Sequence, residues 1–325
     1  MIATITLNPC VDKHIAVDGL VINETNRSAA VRHDAGGKGI DVSRAIHEMG
    51  GRSMAYGFIG GHEGRTLEIL LAEEGVPFSF TPIEQETRAC FIISDTKNLQ
   101  QTSINAPGPR ISKKELDRFF RHLWEIYPGP DLIVVGGSVP PGCPSDIYGT
   151  IVLEAKSHGV RAILDSSGQY LKEGVKARPY LIKPNIREAE ELLGIELTTE
   201  EAVIQAALSI VSMGIEVAAI SRGEEGIIAA SRESIVKALP PALRVESAVG
   251  AGDCAVAGLA LKLAYAEPLL EACRLAAAMG AAAVLTPGTE LCRRADVARL
   301  LPQIRVTEMA SSPGKRSFQG EVDNR

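Results

Sequence analysis

The chain has 325 residues, 45% of them hydrophobic, which is enough for a large core and an accessory element. Its 34 basic and 40 acidic residues give a net charge of −6, which argues against a nucleic-acid partner. No apolar run approaches the roughly 20 residues of a membrane helix, the first residues lack the basic leader of a signal peptide, and the six cysteines form no CxxC pair. We therefore expect a cytoplasmic protein with reduced thiols and no membrane partner.

The first hundred residues contain α/β elements. Residues 2–7 alternate like a strand and end at Asn8-Pro9, a turn signal, so we predict a first core strand there. Periodicity and glycine stops predict helices at 40–49 and 64–74 and a strand at 54–59.

Two further segments are β-rich and carry no helical period. They cover residues 11–32 and 87–103, and turn signals divide each into short pieces. We predict that they pair into a small β-sheet lid formed by residues 10–35 and 86–105.

After residue 109 the chain alternates between helical and strand patterns. The predicted helices and strands are helices 113–127, 144–158, 186–193 and 200–213, and strands 132–135, 161–164, 180–182 and 216–220. Strands that are apolar throughout indicate a parallel sheet covered on both faces. We therefore predict an α/β fold with a three-layer αβα core of residues 1–9, 36–85 and 106–307. The polar end, residues 308–325, is predicted to be a disordered tail.

Residues 249–254, with the sequence Val-Gly-Ala-Gly-Asp-Cys, precede a run of small apolar residues typical of a buried helix. Glycines let the backbone approach a ligand, and a helix N-terminus directs free N–H groups at negative charge. Asp253 could accept a proton beside a stabilised anion, which suits phosphoryl transfer. A helix cap by Asp253 is the alternative. The segment also matches a relaxed dinucleotide-binding pattern, but Asp253 would repel a pyrophosphate.

The earlier glycine group, residues 36–39, has the sequence Gly-Gly-Lys-Gly and leads into a predicted helix. It is not a Walker A loop, because Lys38 is followed by Gly39 rather than by Ser or Thr. A ligand-binding loop and a plain tight turn both fit this segment.

Asn185 and Glu188 stand three residues apart at a predicted helix start, so their side chains can reach one point. Their oxygen atoms suit a hydrated Mg²⁺ ion. A capping box between the same two side chains fits equally well.

Four other features carry suitable chemistry but also ordinary explanations. The segment from Ser221 to Gly226 follows a buried strand and could hold phosphate or form a bare hairpin turn. Arg27 and Arg88 lie in the predicted lid segments and could reach a substrate phosphate, although most surface arginines have no such role. Asp12 could accept hydrogen bonds from sugar hydroxyls or cap a turn.

The order of these motifs resembles the ribokinase-like (PfkB) carbohydrate kinase family over residues 1–303. The motifs that carry the resemblance are Leu7-Asn8-Pro9 with Asp12, Gly36-Gly37-Lys38-Gly39, Gly137-Ser138-Val139-Pro140-Pro141-Gly142, Lys183-Pro184-Asn185 with Glu188, and Gly250-Ala251-Gly252-Asp253. Within the family, residues 165–168 and 287–292 are most similar to minor-type 6-phosphofructokinases. The branch of 1-phosphofructokinases and tagatose-6-phosphate kinases is similar almost as closely.

The resemblance implies a ribokinase-like core with a β lid, and ATP, Mg²⁺ and a monovalent cation as cofactors. Asp253 would be the general base in the catalytic loop of Gly250, Ala251 and Gly252. ATP would contact Lys183, Asn185, Ser221, Gly223, Gly226, the 250–252 loop and Gly280. Mg²⁺ would be organised through Asn185 and Glu188. The sugar phosphate would contact Asp12, Arg27, Gly36, Gly37, Lys38, Asp41, Arg88 and Ser138. A homodimer through the lid is also expected, because an exposed sheet has an apolar face to bury.

The expected reaction is transfer of the γ-phosphoryl group of ATP to the 1-hydroxyl of fructose 6-phosphate. Two positions depart from the phosphofructokinase pattern: Asp41 replaces a usual asparagine, and Thr25 stands where close relatives carry a lysine. Fructose 1-phosphate, tagatose 6-phosphate and an unphosphorylated sugar or nucleoside are therefore alternative acceptors. A catalytically silent sugar-phosphate sensor is the alternative outside the enzyme class.

Overall fold

A computed structural model describes residues 1–98, 100–126 and 129–311. The elements in chain order are β1 Ile2–Thr6, β2 Cys10–Val17, β3 Ser28–Gly36, α1 Lys38–Glu48, β4 Ser53–Ile59, α2 Gly61–Glu73, β5 Phe78–Pro82, β6 Arg88–Asp95, β7 Gln100–Asn105, α3 Lys113–Ile126, β8 Leu132–Gly136, α4 Ile147–Ser157, β9 Arg161–Asp165, α5 Gly168–Val175, β10 Leu181–Ile182, α6 Ile186–Leu193, α7 Glu200–Ser212, β11 Val217–Ser221, β12 Ile227–Ala230, β13 Ser234–Leu239, α8 Ala251–Leu263, α9 Leu269–Ala283, α10 Arg294–Leu300 and β14 Arg305–Ala310.

In the part of the chain that the structure describes, the larger of two sheets has ten strands in the order β14-β13-β12-β11-β10-β9-β8-β1-β4-β5. All neighbours from β11 to β5 are parallel, whereas β12, β13 and β14 extend the sheet in antiparallel fashion. The parallel part confirms the predicted fold class, because apolar strands joined by helices form such a sheet.

Helices cover both faces of this sheet. Alternate residues of β1 and β8 point to opposite sides, so Ile5 and Val135 belong to one core cluster and Ile2 and Val134 to the other. Helices α3 to α7 contribute to the first cluster, and α1, α8, α9 and α10 to the second. The sheet is therefore the middle of three layers.

Among the described residues, a separate small sheet has four strands in the order β3-β2-β6-β7. Its central pair, β2 and β6, is parallel, and both outer pairs are antiparallel. All its strands come from the two β-rich segments of the sequence. How these segments divide the chain into core and lid domains remains a prediction.

Several details differ from the sequence-based expectations. The predicted disordered tail at 308–325 was wrong at its start, because residues 308–310 belong to β14, which pairs with β13. The remainder, 312–325, lies outside the described residues, as does Tyr127 at the end of the third predicted helix. The sequence analysis did not predict strands β5, β12 and β13 or helices α5, α9 and α10. Of these, β5 and α5 are too short to show a complete period. Within the described part of the chain, no helix is both long and apolar enough to cross a membrane.

Candidate active site

The candidate site lies at the carboxyl edge of the parallel strands. Asn8 follows β1, Ser138 follows β8, Asp165 ends β9 and Lys183 follows β10. Parallel strands bring their carboxyl ends to one edge, where ligands bind in open α/β sheets. Polar residues that are far apart in the sequence thus converge.

Helix α8 brings Asp253 to this edge. Gly250 precedes the helix with a left-handed backbone (φ 77°), a conformation that favours glycine, and Asp253 lies in the first turn. The Asp253 side chain does not cap the helix. Among the described residues its Oδ1 atom is buried without a hydrogen-bond partner. The capping interpretation was therefore wrong, and the carboxylate is available to a ligand.

Two lysines surround Asp253 and the buried Asp165. The Nζ atom of Lys38 donates to Asp165 Oδ2 at 2.8 Å and lies 3.7 Å from Asp253 Oδ1. Lys183 Nζ lies 3.6 Å from Asp165 Oδ1. Lys38 therefore links the end of β9 to the start of α8.

The electrostatics of this group follow from its burial. Burial raises the pKa of Asp253, and the negative charge of Asp165 raises it further, while Lys38 and Lys183 oppose the shift. Burial would also raise the pKa of Asp165, but Lys183 and Lys38 hold it below its ordinary value. Asp165 is thus the permanent counter-charge, and Asp253 is the more basic carboxylate.

Another buried carboxyl group, that of Asp41 on α1, lies near Asp253 and Asp12. Burial raises the pKa of Asp41 well above its ordinary value, as do the charges of Asp253 and Asp12, while Arg44 lowers it. Arg44 Nη1 donates to Asp41 Oδ1 at 3.3 Å, and its guanidinium also binds Glu74 at 2.7 Å. The departure from the family pattern at position 41 is therefore accommodated by an ion pair.

Asp12 closes the site from the small sheet. A Cβ atom on Gly36 would lie 2.3 Å from Asp12 Oδ2, so a larger residue at position 36 would displace the Asp12 carboxylate. Burial raises the pKa of Asp12. The Cys10 thiol donates to Asp12 Oδ1 at 3.2 Å.

Arg88 joins the small sheet to the end of β1. Its guanidinium donates to the carbonyl oxygens of Asn8 at 2.9 Å and Ala106 at 2.8 Å, and to Ser138 Oγ at 3.3 Å. Asn8 Nδ2 donates to the same Ser138 oxygen at 3.1 Å, while its Oδ1 is buried without a hydrogen-bond partner in the described structure. Arg88 and Ser138 therefore line one wall together.

The predicted nucleotide and metal residues form a second group. Asn185 Oδ1 accepts from the N–H of Glu188, and Glu188 Oε2 accepts from the N–H of Asn185, both at 2.9 Å. The predicted capping box is therefore present. Ser221 pairs with Asn185 as an isolated bridge, so β11 brings it alongside.

The remaining predicted residues are placed as follows. Gly223 begins a 3₁₀ turn that ends before Gly226. Gly280 packs behind the loop, since a Cβ atom there would lie 3.2 Å from the Ala251 carbonyl oxygen. A Cβ atom on Gly252 would lie 3.7 Å from Lys183 Nζ. Arg27 is exposed before β3, and the structure does not bring it to the site.

Two residues of the site, Asn8 and Asp165, were not among those predicted. Both were visible in the sequence, because each stands at the end of an apolar strand, as does Lys183 after β10. A polar residue directly after an apolar strand is the signal that points to both, because ligands bind at the carboxyl ends of parallel strands.

Comparison with known proteins gives the family. The model of the pfkB family of carbohydrate kinases matches residues 3–296. The chain belongs to this family. This pfkB kinase thus phosphorylates a sugar hydroxyl, as the sequence predicted.

Similar proteins extend over almost the whole kinase. ATP-dependent 6-phosphofructokinase isozyme 2 of Mycobacterium tuberculosis is 35% identical over 316 residues, covering 96% of this chain and 90% of that protein. The 1-phosphofructokinase of Bacillus subtilis is 33% identical over 309 residues, covering 95% and 100% respectively. The crystal structure of phosphofructokinase-2 from Escherichia coli in complex with potassium has a TM-score of 0.89 at 32% identity and covers 93% of this chain and 98% of its own.

Proposed function

We propose that this kinase transfers the γ-phosphoryl group of ATP to the 1-hydroxyl of fructose 6-phosphate. The observation that carries the proposal is the buried Oδ1 of Asp253 in the first turn of α8, which has no hydrogen-bond partner among the described residues and lies 3.7 Å from Lys38 Nζ. A buried acceptor without a partner is costly unless a ligand satisfies it. The names of the Mycobacterium and Escherichia coli relatives support the choice of acceptor.

In the proposed mechanism, Asp253 accepts the proton of the attacking hydroxyl as the oxygen bonds to the γ-phosphorus. Its raised pKa makes it a better base than an exposed aspartate. Backbone N–H groups of Ala251 and Gly252, at the positive end of the α8 dipole, stabilise the developing negative charge. Lys38 holds Asp253 in position through its link to Asp165.

The lid strands would exclude water from this reaction. Exclusion matters because water in place of the sugar would hydrolyse ATP. Arg88 contacts the core at Asn8 and Ser138, so movement of the small sheet is coupled to that wall of the site.

Mg²⁺ fits the residues at the start of α6. Glu188 uses Oε2 in the capping box. Burial lowers the pKa of Lys38, but Asp165 and Asp253, with a smaller contribution from Glu188, raise it above its ordinary value. A carboxylate in this position suits a hydrated hard cation. When bound, Mg²⁺ would neutralise the β- and γ-phosphate oxygens. We also propose a monovalent cation as a second cofactor, by analogy with the potassium complex of the Escherichia coli neighbour.

Glu188→Gln separates the metal role from the capping role. Glutamine preserves the capping box, so the free energy of unfolding should change little. Loss of the negative charge should raise the Mg²⁺ concentration for half-maximal activity at least about tenfold, in line with losses for outer-shell metal partners. Magnesium titrations of initial rate provide the measurement. Glu191→Gln, on the exposed side of the same helix, is the control, and an unchanged magnesium dependence in Glu188→Gln would rule out the role.

Asp41 does not oppose an anionic acceptor under this proposal. Its carboxyl either takes up a proton, as its raised pKa favours, or shares the Arg44 guanidinium. Neither state presents an uncompensated negative charge to the sugar phosphate. Arg88 stays our candidate for the substrate phosphate, and Arg27 would have to be brought in by lid closure.

An acceptor panel tests the proposed function. ADP release with Mg-ATP should be fastest with fructose 6-phosphate, compared with fructose 1-phosphate, tagatose 6-phosphate, fructose and a nucleoside. A preference for an unphosphorylated acceptor would overturn the assignment to phosphosugars. Sugar binding without ADP release for any acceptor would favour a sensor.

We further propose a homodimer through the lid. The face of the small sheet opposite Asp12 carries Val31, Phe91 and Ile104, which are 56%, 38% and 54% exposed. Phe91 and Ile104 are register partners on β6 and β7. An exposed apolar face on a sheet with free edges marks an interaction surface.

Phe91→Asp should convert the dimer into a monomer, because it places a charge in the middle of this face. Sedimentation analysis or size-exclusion chromatography with light scattering gives the mass. The control is Tyr265→Asp, because Tyr265 is an exposed aromatic residue after α8, away from the small sheet. This variant should keep the mass of the wild-type protein. A wild-type protein that is monomeric at micromolar concentration would contradict the proposal.

A further inference from the structure

The small sheet carries two thiols beside the carboxylate of Asp12. Cys10 and Asp12 are two residues apart on β2, so they point to the same face of the sheet. Cys90 on β6 is the register partner of Asp12 and shares that face. One ligand atom from each of the three residues lies within 4.8 Å of the others.

These distances suit a metal ion better than a disulfide. Cys90 pairs with Asp12 and not with Cys10, so the two cysteines are diagonal neighbours with Cα atoms about 8 Å apart, given strands about 4.8 Å apart and a rise of about 6.6 Å over two residues. A disulfide requires Cα atoms at about 4.4–6.8 Å. Around tetrahedral zinc, with bonds of about 2.0–2.3 Å, ligand atoms lie about 3.3–3.8 Å apart. The 3.2 Å between Cys10 Sγ and Asp12 Oδ1 is close to this spacing.

The surroundings also suit such an ion. Cys10 and Cys90 are only 4% and 2% exposed, so neither sulfur is a surface thiol. The charge of Arg88 acts on Cys10, Asp12 and Cys90 alike, and it would offset the excess negative charge of two thiolates and a carboxylate around a divalent ion.

We propose that Cys10, Asp12 and Cys90 bind a thiophilic divalent cation such as Zn²⁺, with water as the fourth ligand. Binding displaces the two thiol protons to solvent and forms two metal–sulfur bonds and one metal–oxygen bond. Occupancy would engage the Asp12 carboxylate and so compete with the sugar. This last effect rests on the proposed function, in which Asp12 holds the acceptor.

Cobalt spectroscopy tests the site independently of kinase activity. Reduced, metal-free protein is titrated with Co²⁺ in the absence of ATP and Mg²⁺, and then with Zn²⁺. We expect one equivalent of Co²⁺ with thiolate charge-transfer bands and tetrahedral visible bands, both removed by Zn²⁺. Cys90→Ser and Cys10→Ser should each weaken Zn²⁺ binding by at least about tenfold, since even outer-shell losses cost that much.

Cys143→Ser is the matched control, because Cys143 is a partly accessible thiol on the loop before α4. Unchanged Zn²⁺ affinity in both Cys10→Ser and Cys90→Ser, or loss of the thiolate bands in Cys143→Ser, would overturn the site. If one site variant does not fold, the other still decides. Zn²⁺ binding with these properties but without competition against the acceptor would keep the metal site and refute the proposed role of Asp12.

Discussion

Asp253→Asn should lower kcat by about 10²–10⁴-fold, the range for removal of a positioned general base. Asparagine keeps the size and shape of the side chain but cannot accept the hydroxyl proton. The dissociation constants of ATP and the sugar should change little, since the substitution leaves the α8 N-terminus intact. Steady-state rates and equilibrium binding measured on the same preparation separate the two effects.

The matched control is Asp296→Asn, which removes a first-turn carboxylate from α10, where Asp296 is paired with Arg299 at 2.7 Å. It should retain the wild-type kcat. The wild-type acidic limb of kcat/KM, which reports the free enzyme, should titrate above the ordinary pKa of aspartate, because burial raises the pKa of Asp253. Activity is therefore lost as the pH falls through that raised value, when the base becomes protonated. An Asp253→Asn enzyme that turns over at the wild-type rate would eliminate Asp253 as the base.

Asp165→Asn should destabilise the protein by about 3–5 kcal/mol, the usual cost of removing one partner of a buried ion pair. Asp165 is buried between Lys38 and Lys183, so the variant removes the carboxylate that pairs with Lys183 and leaves Lys38 with the more distant Asp253 at 3.7 Å. Denaturant unfolding at neutral pH gives the free energy of unfolding.

Its control is Glu191→Gln, which breaks the exposed pair between Arg187 and Glu191. Exposed pairs contribute about 0–1 kcal/mol, so this variant should unfold close to the wild type. Equal, small losses in both variants would mean that the Asp165 cluster is hydrated and does not hold the site together.

The pH dependence of the free energy of unfolding adds a second check. The lowered pKa of Asp165 contributes stability that is present above its unfolded pKa and is lost as the pH falls through the lowered value.

The sequence predicted those features that are encoded locally. The loop at 250–253 and the segment at 185–188 each sit at a helix start, where glycine, asparagine and glutamate have positional preferences. The regular alternation after residue 109 predicted the parallel sheet for the same reason. At both helix starts the local pattern allowed either a cap or a ligand-binding carboxylate. The three-dimensional structure shows a capping box at Asn185 and Glu188, whereas Asp253 does not cap its helix.

Contacts over long sequence distances could not be predicted. The bond between Lys38 and Asp165 joins residues 127 apart, and no spacing rule connects them. The register that brings Cys90 opposite Asp12 depends on the parallel pairing of β2 with β6. Likewise, β14 extends the large sheet because β13 offers a free edge, although five of its six residues are exposed.

The most direct test of the central claim is to identify the product formed from fructose 6-phosphate and Mg-ATP by phosphorus NMR. The proposed mechanism predicts one ADP and one new phosphomonoester at carbon 1 of the sugar for each ATP consumed. Release of inorganic phosphate in place of the new ester, or phosphorylation at another hydroxyl, would contradict the assignment of Asp253 as the base for the 1-hydroxyl.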